Sequence, residues 1–341
     1  MKVLALTFGD ENAASSHFRI HQYLEPLAEA GIELETERAD RFQRWDLLSS
    51  FDVVIIQKKL LSNRRVRLIR RGARALIYDT DDAIWEAHDR PHHWLTRWRV
   101  RWRLRHVARA ADCCTAANEV LARVLGRQAR RVEIIPMSLD ESEWRSKARE
   151  KAGPVRIGWS GGPVNLCYLK AIESSLAEVQ RAKPEVEIAI FCGQAPDLGS
   201  DLHITHIPFQ KGIEPGVLQS FDIGLLPLPM NAFAQGKSPI KGLQYLACGV
   251  ATVASPVGAT RELFREGETA LFADRPPDWT AALLRLVNDP QLRLTLGIRA
   301  REEFVRRYSR SQVARQIVSV LQSCVPTEKH GGREAKARRR Q

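Results

Sequence analysis

The chain has 341 residues, 44% of them apolar, which is too long for one ordinary core and fits two domains of about 150 residues each. It carries 52 Lys and Arg against 40 Asp and Glu, and the net charge of +12 points to an anionic substrate, an anionic membrane surface or nucleic acid. No run approaches the ~20 apolar residues of a membrane span. Six cysteines without C-x-x-C spacing, most among apolar neighbours, imply reduced thiols in a cytosolic protein.

The opening MKVLALTFGD lacks the length and small-residue cleavage site of a signal peptide, and it is expected to be a first strand. Short apolar runs at residues 3–8, 32–37, 52–57, 75–79, 113–116 and 132–135 read as strands. Helical patterns fill the gaps, as in HFRIHQYLEPLAEAG, which stops at Gly31. Such alternation predicts an α/β, doubly wound parallel sheet. The polar run at 145–154 is a candidate linker, giving domains at 1–150 and 154–325. A second alternation starts at Val155, through VRIGWS, EVEIAIFCG, HITHIPF, FDIGLLPL, ATVAS and ALFAD. Helices dominate after Trp279. The basic tail, 326–341, is expected to be disordered.

Two segments stand out along this pattern. WLTRWRVRWRLRHVAR (94–109), read as a helix, puts Trp94, Trp98 and Trp102 on one stripe and Val100, Leu104 and Val107 roughly opposite, with arginine on the flanks. A strand also fits its alternation, but length and the surrounding rhythm favour the helix. Either the tryptophans pack on neighbouring helices, or they face outward and suit an anionic bilayer's headgroups. The second segment, 223–261, contains no Asp or Glu, and its charged groups are Lys237, Lys241 and Arg261. It reads as strand, loop, helix from about Pro239, then strand. Positive charge at such a helix start suits phosphate, although an ordinary βαβ unit with solvated lysines has the same pattern.

The order of residues separates these alternatives. QYLACGVATVASPVGATRELFREGETALFA resembles the nucleotide-sugar half of retaining GT-B glycosyltransferases of the family-4-like group (bacterial group 1). FDIGLLPLP, GKSPIKGLQY, YDTDDAIW and IGWSGG resemble a bacterial subgroup of them. The likeness covers most of 155–309 and is thinner over 1–150. It implies two Rossmann-like domains facing a cleft, with the last helix crossing back near 312–321. It also implies retention of configuration.

Transfer of a sugar from a nucleoside diphosphate needs the leaving diphosphate stabilised in a dry cleft. No carboxylate or histidine cluster has metal spacing near the basic loop; His203 and His206, on an apparent strand, point to opposite faces. Lys237 and Lys241 are therefore the expected cations, with no metal and no cofactor. Ser160, Gly161 and Gly162 follow the first strand of the second domain and offer backbone N–H groups, unless they are a plain tight turn. Gly193 is expected beside the base. Many relatives carry Glu-x7-Glu; the matching positions here are Gly236 and Gln244, and only Gln244 can still bond a hydroxyl. The Arg and Lys that relatives carry after that first strand are also absent near 160–166.

The first domain should supply the acceptor side through Arg19, Asp79, Asp81 and Asp82, one carboxylate serving as a helix cap. Ser15, Ser16, His88, His92 and His93 are further candidates. The leading expectation is a hexosyl-type transferase acting on a glycan or lipid-linked acceptor. Its setting would be surface polysaccharide or lipopolysaccharide synthesis, in the cytoplasm or peripheral on the inner membrane face. A catalytically silent nucleotide or partner binder is the second reading. Nucleic-acid binding lacks any helix-turn-helix, zinc or RNP pattern.

Overall fold

The computed structural model describes residues 1–86, 93–146, 153–199 and 201–325. His88, His92, most of the expected linker and the 326–341 tail lie outside the described residues. Twelve strands form two six-stranded parallel sheets. The first comprises β1 (Lys2–Thr7), β2 (Glu33–Arg38), β3 (Val53–Gln57), β4 (Ala75–Thr80), β5 (Cys113–Ala116) and β6 (Val132–Ile134), in the order β2-β1-β3-β4-β5-β6. Its helices are α1 (Ala14–Arg19), α2 (Leu24–Glu29), α3 (Asn63–Gly72), α4 (Trp94–Ala110) and α5 (Glu119–Gly126). Every residue of β3 and β4 is buried, as expected of parallel strands covered on both faces.

The second sheet comprises β7 (Arg156–Ser160), β8 (Glu187–Cys192), β9 (Ile204–Pro208), β10 (Ile223–Leu226), β11 (Ala251–Ala254) and β12 (Leu271–Phe272), ordered β12-β11-β10-β7-β8-β9. Around it lie α6 (Leu166–Lys170), α7 (Glu173–Ala182), α8 (Glu214–Gln219), α9 (Ala232–Gly236), α10 (Ile240–Cys248), α11 (Thr260–Leu263), α12 (Pro276–Asn288) and α13 (Pro290–Arg307). The final helix, α14 (Arg310–Cys324), returns to the first sheet. There Val313, Ala314, Val320 and Leu321 join Val3, Ala5, Val53 and Ile77 in one apolar cluster. The crossing is fixed at its start, where the Arg310 amide donates to the Leu139 carbonyl at 2.8 Å and the Leu139 amide to that of Tyr308 at 3.3 Å.

The expected continuous helix over residues 17–31 is corrected. The chain forms α1, a 3-10 turn at His21–Tyr23, and then α2. Pro26 has no N–H to give to residue 22 and its ring crowds that carbonyl, so one helix cannot run through. The Gln22 side chain bonds the Phe18 carbonyl at 2.6 Å instead.

Helix α10 carries the residues of most interest. It ends where Gly249 turns left-handed at φ +66°, a conformation that favours glycine. That carbonyl presses on α13: a Cβ added at Gly297 would lie 2.3 Å from Gly249 O. Helix propensity alone would make Gly297→Ala stabilising by about 1 kcal/mol. The close approach reverses the sign, and the variant is expected to lose about 1–3 kcal/mol, read as a lower urea midpoint. A raised midpoint contradicts this packing.

Candidate functional site

In open α/β sheets ligands bind beyond the carboxyl ends of the strands, where the strand order reverses. In the second sheet the reversal lies between β7 and β10. Strand β7 ends at Ser160, and Gly161 and Gly162 come next. A Cβ at Gly161 would sit 2.4 Å from the Trp159 indole, so that position needs glycine on space alone. The Asn165 amide donates to the Gly162 carbonyl at 2.9 Å, starting a short 3-10 turn. Gly193, after β8, lies against this turn: a Cβ there would be 3.9 Å from Pro163 Cγ and from Phe209 Cβ, an ordinary contact. His206 faces the Cys192 carbonyl at 3.0 Å, while His203 precedes β9.

Two polar atoms at this reversal have no hydrogen-bond partner among the described residues. They are Ser160 Oγ and Gln244 Oε1, both fully buried. Their residues are each 3% exposed. The Ser160 amide is satisfied by Tyr245 Oη at 3.1 Å. Buried polar groups are nearly always paired, so one orphan next to the Gly-Gly turn and another on α10 are candidate points of contact for a ligand.

The two expected cations are half-buried and form no ion pair with a described residue. Lys237 Nζ lies 3.4 Å from Asn165 Oδ1 and 5.7 Å over the Tyr168 ring. Burial lowers its pKa, with Asp82 opposing from the first half. Burial also lowers the pKa of Lys241, against weaker upward pulls from Glu214 and Cys192. Lys237 thus faces the turn after β7 and the gap between the sheets. Lys241 lies within electrostatic reach of Glu214, at the start of α8, and of Cys192, at the end of β8.

Across the gap, Ser238 Oγ donates to the Asp81 carbonyl at 2.7 Å and Asn118 Nδ2 to that of Gly236 at 3.3 Å. Asp81 and Asp82 share Lys58, whose Nζ is 3.2 Å from Asp81 Oδ1 and ion-paired with Asp82 Oδ2. Lys58 has φ +61°, a strained conformation for a side chain that is not glycine. Burial and then Asp81 raise the Asp82 pKa, while Lys58 and Lys237 pull it down. Sequence reasoning missed Lys58, although Gln57-Lys58-Lys59 at a strand's carboxyl end was a legible signal.

The other two acceptor-side residues are placed differently. Arg19 grips Asp79 through Nε, at 3.1 Å, and through Nη2. Its Nη1 donates to the carbonyls of Ile135 and Pro136. Thr115 Oγ1 donates to Asp79 Oδ1 at 2.6 Å. Both side chains are buried within the first half and satisfied there. This is a structural clamp, and of the four residues expected on the acceptor side only Asp81 and Asp82 lie outside it. Ser15 and Ser16 bond Gln57, and His93 caps α4 through Leu95 N at 3.4 Å.

The whole chain has a well-defined set of structural relatives. Sucrose-phosphate synthase from Thermosynechococcus elongatus superposes with a TM-score of 0.71 at 15% identity, over 94% of this chain and 98% of that one. HepE of Anabaena, in complex with UDP, gives 0.67 at 14% identity over 95% and 100%. A glycosyltransferase from Rickettsia africae gives 0.64 at 9% over 97% and 99%. The fold is GT-B. In sequence, residues 174–319 match the family model described as Glycosyl transferase-like, and no curated protein matches.

The glycine at position 236 has a steric reason. A Cβ at Gly236 would lie 2.5 Å from Ala83 Cβ in the opposite half. A cavity of about 460 Å³ also spans the halves, bordered by Asn118, Met137, Ser238, Ile240, Glu262 and Arg307, on a different face of α10 from Lys241 and Gln244.

Of the two orientations its sequence left open, helix α4 takes the one with the tryptophans outward. Leu104 and Val107 are buried and Val100 packs on the same core. Trp94, Trp98 and Trp102 are 67%, 64% and 48% exposed, with Trp98 and Trp102 stacked at 6.0 Å. They border a groove of about 760 Å³ with Arg97, Arg101 and Arg127.

Because Arg19 and Asp79 are a buried pair, Asp79→Ala strands an unpaired guanidinium. It is expected to destabilise the protein by about 3–5 kcal/mol, measured by denaturant unfolding. An unchanged stability with weakened acceptor use would return Asp79 to the acceptor side.

Proposed function

We propose that the chain is a glycosyltransferase that moves a hexosyl group from a nucleoside-diphosphate sugar to a glycan or lipid-linked acceptor. The observation that carries this reading is the cluster at the β7/β10 reversal. There, Lys237 just before α10 and Lys241 in its first turn are half-buried and make no ion pair with a described residue. Gln244 of α10 and Ser160 at the end of β7 each hold an unpartnered buried oxygen, and a Gly-Gly turn follows β7. HepE, which shares the fold, is known in complex with UDP and with UDP-glucose.

In this reading the amide groups of Gly161 and Gly162 and the amines of Lys237 and Lys241 receive the diphosphate. They take the part of the basic residues that relatives carry after the first strand. Charge develops on the diphosphate as the glycosidic bond breaks. Cations already held in place, away from bulk water, stabilise that charge without reorganising. Gln244 bonds a ribose hydroxyl, Gly193 borders the base, and Asp81 and Asp82 meet the acceptor's hydroxyls. No divalent ion is required, because the amines supply the charge. The sugar is transferred with retention, in surface polysaccharide or lipopolysaccharide synthesis. The exposed tryptophans of α4 and their arginines hold the enzyme on the anionic inner face of a membrane, where lipid-linked acceptors lie.

A catalytically silent nucleotide binder is the second reading, favoured by glycine at position 236, where no carboxylate can approach the donor sugar. Slow release of free sugar from a nucleotide-sugar by purified protein separates the two, since a binder releases none.

Lys241→Ala is expected to reduce donor turnover by roughly a hundredfold with little change in unfolding midpoint. Normal transfer by that variant removes the phosphate assignment. Trp98→Ala with Trp102→Ala is expected to weaken sedimentation with phosphatidylglycerol vesicles while soluble-substrate turnover stays intact. Unchanged sedimentation rules out the membrane role of α4.

A further inference from the structure

Two cysteines far apart in the chain meet on the first sheet. Cys113 opens β5 and is fully buried. Cys324 closes α14, is half-buried, and packs on the apolar cluster to which Cys113 belongs. The Cys113 thiol faces the Cys114 carbonyl, 3.5 Å away, and the thiol of Cys324. The helix end is held in place by Arg131, whose Nη1 donates to Ser323 Oγ at 2.9 Å. Both cysteines are free thiols.

We propose that Cys113 and Cys324 are a redox modification site, closing to a disulfide that straps α14 to the first sheet. The interaction with Cys113, aided by the Arg131 guanidinium, brings the Cys324 thiol down to about 7, whereas Cys113 is raised by the same interaction and by burial. Cys324, half-buried at the end of α14, is the thiol that a disulfide in solution can reach, so it attacks, and the fully buried Cys113 resolves. Burial pushes Cys114 and Cys248 up to about 12, which leaves them unreactive.

The oxidant is a small-molecule disulfide such as glutathione disulfide. The Cys324 thiolate attacks one of its sulfurs, forming a mixed disulfide and expelling one glutathione thiolate. Cys113 then gives up its proton and attacks Cys324 Sγ, expelling the second glutathione. The protein loses two hydrogens and two glutathione thiols form. Disulfides inside cells are mostly transient and redox-sensing. With α14 already pinned at Leu139 and Tyr308, the second anchor makes it a strap across both halves.

The test uses the full-length protein in glutathione buffers of graded potential, alkylated and digested without reduction for mass spectrometry. The expected product is a peptide pair joined through Cys113 and Cys324. It should be accompanied by a rise in Tm of roughly 5 °C or more that a thiol reductant reverses. Cys324→Ser removes both effects, and Cys167→Ser, at an exposed thiol, removes neither. Persistent glutathione on Cys324 without the cross-link overturns the proposal, as does pairing of Cys324 with another cysteine. A cross-link that leaves Tm unchanged overturns the strap.

Discussion

The two halves of the molecule meet at a contact with no room for a side chain, Gly236 against Ala83. That approach sets the position of the neighbouring residues. Lys237 is the next in the chain, Ser238 reaches back to the Asp81 carbonyl, and the first turn of α10 carries Lys241. Asn118 adds a bond from the opposite side to the Gly236 carbonyl. The geometry of the basic loop therefore depends on domain contact as much as on the loop itself. A larger residue at 236 would hold the halves apart and move both lysines.

Charge is divided unevenly across the gap. Lys58 is committed to Asp81 and Asp82, so the first half faces the gap with an ion pair already in place. Lys237 stands between that pair and the turn after β7. Lys241 has no ion-pair partner among the described residues. An amine 4 Å from an anion gains about 1 kcal/mol in water but about 4 kcal/mol at an effective dielectric of 20. Partly desolvated amines waiting at a strand-order reversal are thus placed where an anionic leaving group benefits most. The burial that lowers their pKa values is the same burial that strengthens their pairing with such a group.

Much of this was legible in the sequence, for identifiable reasons. The strands are short apolar runs closed by polar or glycine residues, so all twelve could be read within a residue or two for the first sheet and rather less tightly for β10 and β12. Three tryptophans at a spacing of four showed a stripe on α4, but not which way it faces, because a stripe of aromatics serves a core as well as a surface. Helix α9 was not expected, because five residues behind an Asn231 cap carry too little pattern. The break before α2 was signalled by Pro26 but hidden by the apolar periodicity around it. The clamp of Arg19 on Asp79 joins elements far apart in the chain, and no local pattern shows which of three neighbouring aspartates turns inward. At position 236 the resemblance implied a missing carboxylate, and Ala83 leaves no room there for a side chain.

In the proposed function, protonated amines receive a nucleoside diphosphate at the β7/β10 reversal. The direct measurement is calorimetric titration of the protein with a panel of nucleoside diphosphates in excess EDTA, repeated across pH. Both lysine pKa values are lowered, so the binding-competent charged form is lost at a lower pH than for a lysine in water. The account predicts that one diphosphate binds without metal, with affinity falling as pH rises through that lowered range and with proton uptake on binding. Binding that appears only when magnesium is added, or that stays flat across the same pH range, would contradict it.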